Sequence, residues 1–224
     1  MRLYLRASLC SVAWLLVFVA PTALAQVPFP GQCPEVKVMD TFDLEAYLGI
    51  WYENAKYPFA FDIGKKCIYA NYTLIDGSTV GVVNAAINRF TGQPSSVTGT
   101  AKVIAPAQLA VTFSKNQVAN RPNYLVLGTD YESYAVVYSC TNLPPLAHLK
   151  IVWILTRERK PSPDTVATAK EVLDNNQISR KFLIDTLQKG CPILDDNETE
   201  TTTTLGDDDD DFTTTTLPNA IEKA

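Results

Sequence analysis

The sequence predicts an all-β protein: an eight-stranded up-and-down antiparallel barrel with one C-terminal α-helix packed outside. Three observations predict it. Between Ile50 and Arg157, eight short β-type segments follow one another, most separated only by turn residues. One long helical pattern occurs, and it comes after the last of them, so strands and helices do not alternate as in a parallel sheet. The chain has 224 residues, 46% of them apolar, enough to bury a sizeable core.

The first 25 residues read as a secretory signal. Arg2 and Arg6 supply its positive end, Leu9 to Ala20 is apolar apart from Ser11, and Ala23-Leu24-Ala25 gives a small-x-small cleavage pattern. The apolar core is short for a membrane anchor, which needs about 20 residues. The expected mature chain begins at Gln26, in an oxidising compartment. Its first stretch, to Met39, contains Pro28, Pro30 and Pro34 and reads as an extended lead-in. Asp40 to Gly49 reads as one or two helical turns closed by a glycine.

The predicted strands are 50–59, 67–75, 80–87, 96–104, 108–113, 124–130, 134–140 and 150–157. Asp76-Gly77-Ser78 is a hairpin signal between the second and third. The helix follows: Ser162 caps it, Pro163 suits its first turn, Asp164 favours its positive end, and Asn175-Asn176 ends it. Val166, Ala169, Leu173 and Ile178 fall roughly on one face. A last short strand is expected near 181–187. An eight-stranded barrel is just wide enough to hold one small ligand.

Residues 192–224 are different material. Two Thr-rich runs flank Asp207–Asp211, and ten acids face one base. So few apolar residues cannot offset the entropy of ordering, and disorder is expected. Residues 26–191 hold 16 bases and 14 acids, so the formal net charge of −5 belongs to the tail. A near-neutral body argues against a nucleic-acid partner, which demands clustered Lys and Arg.

Cys10 leaves with the signal, and Cys33, Cys67, Cys140 and Cys191 remain. Four cysteines allow three pairings, and spacing does not choose among them. None forms a CxxC pair and His148 is the one histidine, so neither a zinc site nor any other cofactor is expected. Asn71-Tyr-Thr and Asn197-Glu-Thr are glycosylation acceptors in a secreted chain.

Gly49-Ile50-Trp51-Tyr52 opens the first strand, Thr129-Asp130-Tyr131 ends the sixth, and Arg157 ends the eighth. In this order and spacing they resemble the three sequence blocks of the lipocalins. Leu48 to Glu53, Asn71-Tyr72, Thr129 to Glu132, Tyr138-Ser139-Cys140 and Trp153-Ile154-Leu155 are similar to the apolipoprotein D and Lazarillo branch. The resemblance covers about 33–192 and excludes the acidic tail. It implies that Gly49, Trp51, Thr129, Asp130, Tyr131 and Arg157 are scaffold, with the arginine over the indole at the closed end. It also implies the pairs Cys33–Cys140 and Cys67–Cys191. Asn142 stands where mammalian relatives carry an extra cysteine, so no disulfide-linked partner is expected.

Strand parity gives an independent handle on the ligand-facing side. A glycan on Asn71 must face out, which turns Ile68, Ala70, Tyr72 and Leu74 inward. If Arg157 points to the floor, Trp153 and Leu155 also point in. The resemblance adds Asn84 and Tyr124 as pocket positions and agrees on Tyr72 and Trp153. Core packing is the competing role for Tyr72, Tyr124 and Trp153. Asn84 would be a polar group in an apolar cup, suited to orient a carbonyl or hydroxyl.

Such a cup suits a small hydrophobic ligand: a sterol, retinoid, fatty acid or pheromone-like lipid. By resemblance to insect relatives, a bilin also qualifies. Two apolar loops are expected at the open end, one with Phe59 and Phe61, the other with Leu143 and Leu146. Either they meet a lipoprotein or membrane surface, or they fold back as a lid. An enzyme is not expected. His148 reads as a surface residue of a mouth loop, and the resemblance leaves no free cysteine in the cup. Met39 falls outside the predicted barrel. The resemblance implies lipid transport and roles in nervous tissue and oxidative or metabolic stress. The competing class is an extracellular signalling or neuronal-surface protein that meets a receptor through its outer barrel surface.

Overall fold

The computed structural model describes residues 28–59, 62–114 and 121–194. The signal segment, Phe61, Asn197 and nearly all of the tail lie outside the described residues. The chain opens with β1 (Pro28–Pro30), a lead-in, and a single helical turn, α1 (Leu44–Tyr47). Eight strands follow: β2 (Gly49–Lys56), β3 (Lys65–Asp76), β4 (Thr79–Asn88), β5 (Pro94–Ala105), β6 (Gln108–Thr112), β7 (Tyr124–Thr129), β8 (Tyr134–Leu143) and β9 (Ala147–Thr156). Each pairs antiparallel with the next, and β9 returns to pair with β2, closing the barrel.

The eight predicted strands are all present, with shifted ends. β2 stops at Lys56, short of Phe59, and β9 begins at Ala147, ahead of Lys150. The predicted last strand begins in a 3₁₀ turn, Arg180–Phe182, and only its two-residue middle is strand, β10 (Ile184–Asp185). β10 pairs with Lys56 and Ala55 of β2. This matters because β2 and β3 pair only from Gly49–Tyr72 to Tyr52–Tyr69 and then part. The C-terminal segment fills the gap. Thr186 donates its backbone amide to Asn54 O, Cys67 donates its backbone amide to Leu187 O, and the Gln188 side chain donates through Nε2 to both Glu53 O and Ile68 O.

Two clusters of buried side chains use the two faces of the strands. The inner one includes Trp51, Ala70, Tyr72, Val80, Val82, Ala101, Leu109, Val126, Val137 and Leu155. The outer one places Leu127, Val136, Val152 and Ile154 against Ala169 and Leu173 of α2 (Pro163–Asn175). Ser162 caps α2 through the Thr165 amide, and Pro163 opens it. Each fully buried leucine such as Leu173 contributes about 1.5–3 kcal/mol.

Two disulfides fasten the ends, Cys33–Cys140 and Cys67–Cys191, as the resemblance implies. Asn142 accepts the Cys33 amide hydrogen bond, 2.7 Å away, beside the first bridge.

His148 is a correction. It is not a surface residue of a loop: it lies in β9 and is 4% exposed. β1 covers it, pairing Phe29 with His148, and the two rings stack at 5.7 Å. Its Nδ1 lies 3.0 Å from Gly31 O. Met39 is outside the strands as expected, yet it packs against the inner cluster, its amide bonded to Val126 O. Leu74 stands opposite Val80, past the floor, and is 45% exposed.

Candidate ligand-binding cup

The closed end is built from the lead-in upward. Asp43 caps α1 by accepting the Ala46 amide, which sets Tyr47 beneath the barrel. Gly49 takes φ +88°, a left-handed turn that favours glycine, and launches β2. Trp51 is fully buried, and its indole N–H donates to Tyr47 O at 2.8 Å. Arg157 lies over that indole, 3.7 Å from the ring centroid. Its guanidinium also donates to Tyr131 O, Ile50 O and Ala46 O. Thr129, Asp130 and Tyr131 form the adjacent turn, where the Thr129 hydroxyl accepts the Tyr131 amide. These six residues thus lie together at the closed end.

Above the floor, Tyr124 sits at the centre of a chain of phenols. Its hydroxyl is 2.8 Å from that of Tyr47 and 2.9 Å from that of Tyr72. Burial pushes the Tyr72 phenol up to about 12. Tyr47 and Tyr124 rise well above the ordinary phenol range, again through burial first. All three are neutral hydrogen-bonding groups at physiological pH.

The upper wall is looser. Trp153 and Tyr124 are half-buried and pack against the inner cluster, while Ala70, Tyr72 and Leu155 are buried in it. Asn84 alternates with Val82 and Ala86 on β4 and stands opposite Ala70, half-buried. Ile68 alternates with Ala70 on β3 and is also half-buried. On β5, Val97 pairs with Asn84 and is 46% exposed. On β5 the inner face thus passes from buried Ala101 to exposed Val97, while on β4 Val82 and Ala86 are buried on either side of half-buried Asn84.

Sequence parity missed one feature of this wall. β2 shifts register between Glu53 and Ala55, so Ala55 faces out opposite Ile154 while Lys56 faces in opposite Trp153. Glu53, opposite Leu155, also faces in. Lys56 Nζ lies 2.6 Å from Glu53 Oε1 and 2.8 Å from Asp62 Oδ2. The Thr186 hydroxyl donates to Glu53 Oε1 at 2.6 Å. Burial pushes the Glu53 carboxyl up, and Lys56 and Thr186 pull it partly back.

The β2–β3 and β4–β5 loops meet at the open end, where Arg89 donates its amide to Gly64 O. Ile63, Phe90 and Leu146 are 80%, 77% and 74% exposed there. Phe59 and Leu143 are half-buried. A separate cleft of about 390 Å³ lies outside the barrel, between the lead-in at Cys33–Val38 and the outer side of β6–β8. Cys33 and Cys140, joined in the first bridge, both line it. Among the described residues no group of His, Cys, Asp and Glu is arranged to hold a metal ion.

The lipocalin-like domain family matches this sequence over residues 42–188. Apolipoprotein D of Oryctolagus cuniculus is 41% identical over 168 residues, covering 72% of this chain and 85% of that protein. The chain belongs to the lipocalin family. Insecticyanin-B of Manduca sexta is 32% identical over 179 residues, 78% of this chain and 84% of the relative. The insecticyanin structure from the same moth superposes with a TM-score of 0.64 at 29% identity, covering 72% of this chain and 88% of that one. The lipocalin is thus of the apolipoprotein D-like kind.

Proposed function

We propose that this lipocalin is a secreted glycoprotein that carries one small apolar molecule with a single polar end. Sterols, retinoids, fatty acids and pheromone-like lipids are the candidate classes. The observation that supports this most is the apolar inner face that opens along β5, from buried Ala101 to exposed Val97, beside half-buried Asn84. Such a wall is apolar with few placed polar groups, as small-molecule sites are. In this reading Ile68, Ala70, Tyr72, Asn84, Tyr124, Trp153 and Leu155 line the site. In the same reading residues 1–25 are the signal, 26–191 the binding domain and 192–224 an acidic, Thr-rich tail. Asn71 and Asn197 carry glycans.

The chemistry is binding, not catalysis. All four cysteines after the signal are in disulfides, and His148 lies under β1, on the same side of β9 as Val152 and Ile154. Transport and protection of an oxidisable lipid follow as the biological role. Lipid surfaces are the source and destination, met through Phe59, Phe61, Ile63, Phe90, Leu143 and Leu146. Co-sedimentation with phosphatidylcholine vesicles, reduced by Leu146→Ser with Phe90→Ser, tests that contact.

The carrier itself is tested by titrating delipidated protein with retinol, cholesterol and a long-chain fatty acid, following tryptophan quenching. Saturation near one ligand per chain, weakened by Trp153→Phe, supports it. The likeness to insecticyanin-B favours a bilin as the second ligand class, read from a shift of biliverdin absorbance on mixing. No saturable binding of any of these would leave the outer-surface signalling role.

A further inference from the structure

A cationic groove lies on the outer side of the barrel, where the described chain ends. The groove, of about 360 Å³, runs between the β9–α2 connection at Arg159 and Lys160 and the C-terminal segment 185–189. Arg159, Lys160 and Lys189 line it, with Asp185 as the one acid among its walls. Lys66 adjoins it, its Nζ donating to Gly190 O at 3.2 Å. Among the described residues none of these four cations is in an ion pair.

Arg159 is fixed in place. Its guanidinium lies 4.3 Å from the centroid of the Tyr52 ring and donates to Gln188 Oε1 at 2.7 Å and to Pro192 O at 3.2 Å. The last bond ties the start of the tail to the wall of the groove, so the chain leaves the domain there. The described residues end at Leu194. Residues 192–224 carry ten acids against one base, five of them consecutive at Asp207–Asp211, whereas residues 26–191 carry 16 bases and 14 acids. The groove and the run are thus opposite in charge and joined by a short stretch of the same chain.

We propose that this groove is the docking site of the chain's own Asp207–Asp211 run, so that the tail closes the cationic face to outside anions. Reach permits it. Only residues 195–206 separate the run from Leu194, and a chain of that length spans about 20 Å as a coil and about 40 Å fully extended. A single exposed ion pair contributes little in water. Five adjacent carboxylates against four cations act together, and the tether holds them at an effective concentration of about a millimolar. Asp185 offsets one cation and leaves the groove positive. Arg159 keeps N–H donors beyond its two bonds, and carboxylates are their natural acceptors. Salt screens the contact over about 8 Å at physiological strength, so it loosens as salt rises. The groove lies outside the barrel, and its closure needs no ligand in the cup.

The test is zero-length carbodiimide crosslinking of the full mature chain at low concentration, read by mass spectrometry of the monomer. Links from Lys66, Lys160 or Lys189 to Asp207–Asp211 should exceed those from Lys102 on β5 and Lys170 on α2 by about tenfold, and should fall at high salt. Retention on heparin-agarose gives a second readout. The variant with Asp207→Asn through Asp211→Asn should elute at higher salt than wild type. Adding Lys160→Gln with Lys189→Gln should remove that gain, whereas adding Lys102→Gln with Lys170→Gln should leave most of it. Links spread evenly over all lysines, links confined to Asp195, Asp196, Glu198 and Glu200, or links found only in dimers would each overturn the proposal. So would a gain on heparin that either lysine pair removes equally, because general charge would then explain it.

Discussion

The guanidinium of Arg157 lies 3.7 Å above the indole of Trp51 and also donates hydrogen bonds to three carbonyls from three segments. Tyr131 belongs to the β7–β8 turn, Ile50 to β2 and Ala46 to α1. One planar group therefore gathers the closed end of the barrel. A lysine keeps the charge but not the fork. Arg157→Lys should lose about 2–3 kcal/mol of stability, more than the cation–π contact alone would give. Urea unfolding followed by tryptophan fluorescence measures it. A loss no larger than that of an exposed ion pair would show that the carbonyls find other donors.

Tyr124 offers a sharper comparison, because it joins two phenols that do not join each other. Tyr124→Phe leaves both Tyr47 and Tyr72 without this partner, whereas Tyr72→Phe breaks one bond at the end of the chain. The first should cost about 1–3 kcal/mol and the second about 1 kcal/mol. The same network sets an alkaline limit. Folded Tyr72 ionises only at about 12, while an unfolded tyrosine does so near 10. The stability that neutral phenols contribute is thus present below about pH 10 and falls as pH rises through that window. Urea midpoints measured across it, with phenolate absorbance recorded in parallel, check the sign.

The two bridges are nearly equal in span, closing separations of 107 and 124 residues, yet they hold different things. Replacing either pair with serine should cost about 2–5 kcal/mol. Only Cys67→Ser with Cys191→Ser should open the gap between β2 and β3, because Thr186 and Gln188 fill it from the tethered segment. Hydrogen exchange at the amides of Cys67 and Thr186 should quicken in that variant. It should stay slow in Cys33→Ser with Cys140→Ser.

Motif and parity carried the barrel, because Trp51, Arg157 and the Thr129–Tyr131 turn have fixed places and most strands alternate cleanly. Illegible features are those where alternation breaks or distant chain returns. Counting by twos from Trp51 puts Ala55 inside and Lys56 outside, and the bulge reverses both, so the charged cluster stayed hidden. His148 looked like loop because Phe29 covers it from a strand between two prolines, Pro28 and Pro30, which carry no amide hydrogen. The filling of the β2–β3 gap rests on single polar contacts of Thr186 and Gln188, which leave no periodic trace.

Asp130 sets the acid limit of the same closed end. Partial burial is the largest single influence and would push its carboxyl up. Hydrogen bonds from the Ser133 hydroxyl and the amides of Tyr134, Ser133 and Glu132 together outweigh it and hold the group below the usual carboxylate range. Its folded value is depressed, so its contribution is present above the unfolded value near 3.9 and is lost as pH falls through the folded one. Stability differences between wild type and Asp130→Ala should therefore shrink from pH 5 toward pH 2. A difference that stays constant would mean that the turn, not the charge, matters.

Gly128 packs directly under α2. A Cβ there would stand 3.0 and 3.1 Å from the two methyl carbons of Val172, tighter than most packed contacts, so Val172 would have to give way. Gly128→Ala should push the helix off β7 and cost about 1–3 kcal/mol. Val172→Ala clears that space, so adding Gly128→Ala to it should cost no more than about 0.5 kcal/mol, a coupling that a double-mutant cycle reads directly. Because α2 packs on the outer face, retinol affinity should not follow stability in any of these variants. A parallel loss of affinity would mean that the helix and the cup wall move as one body.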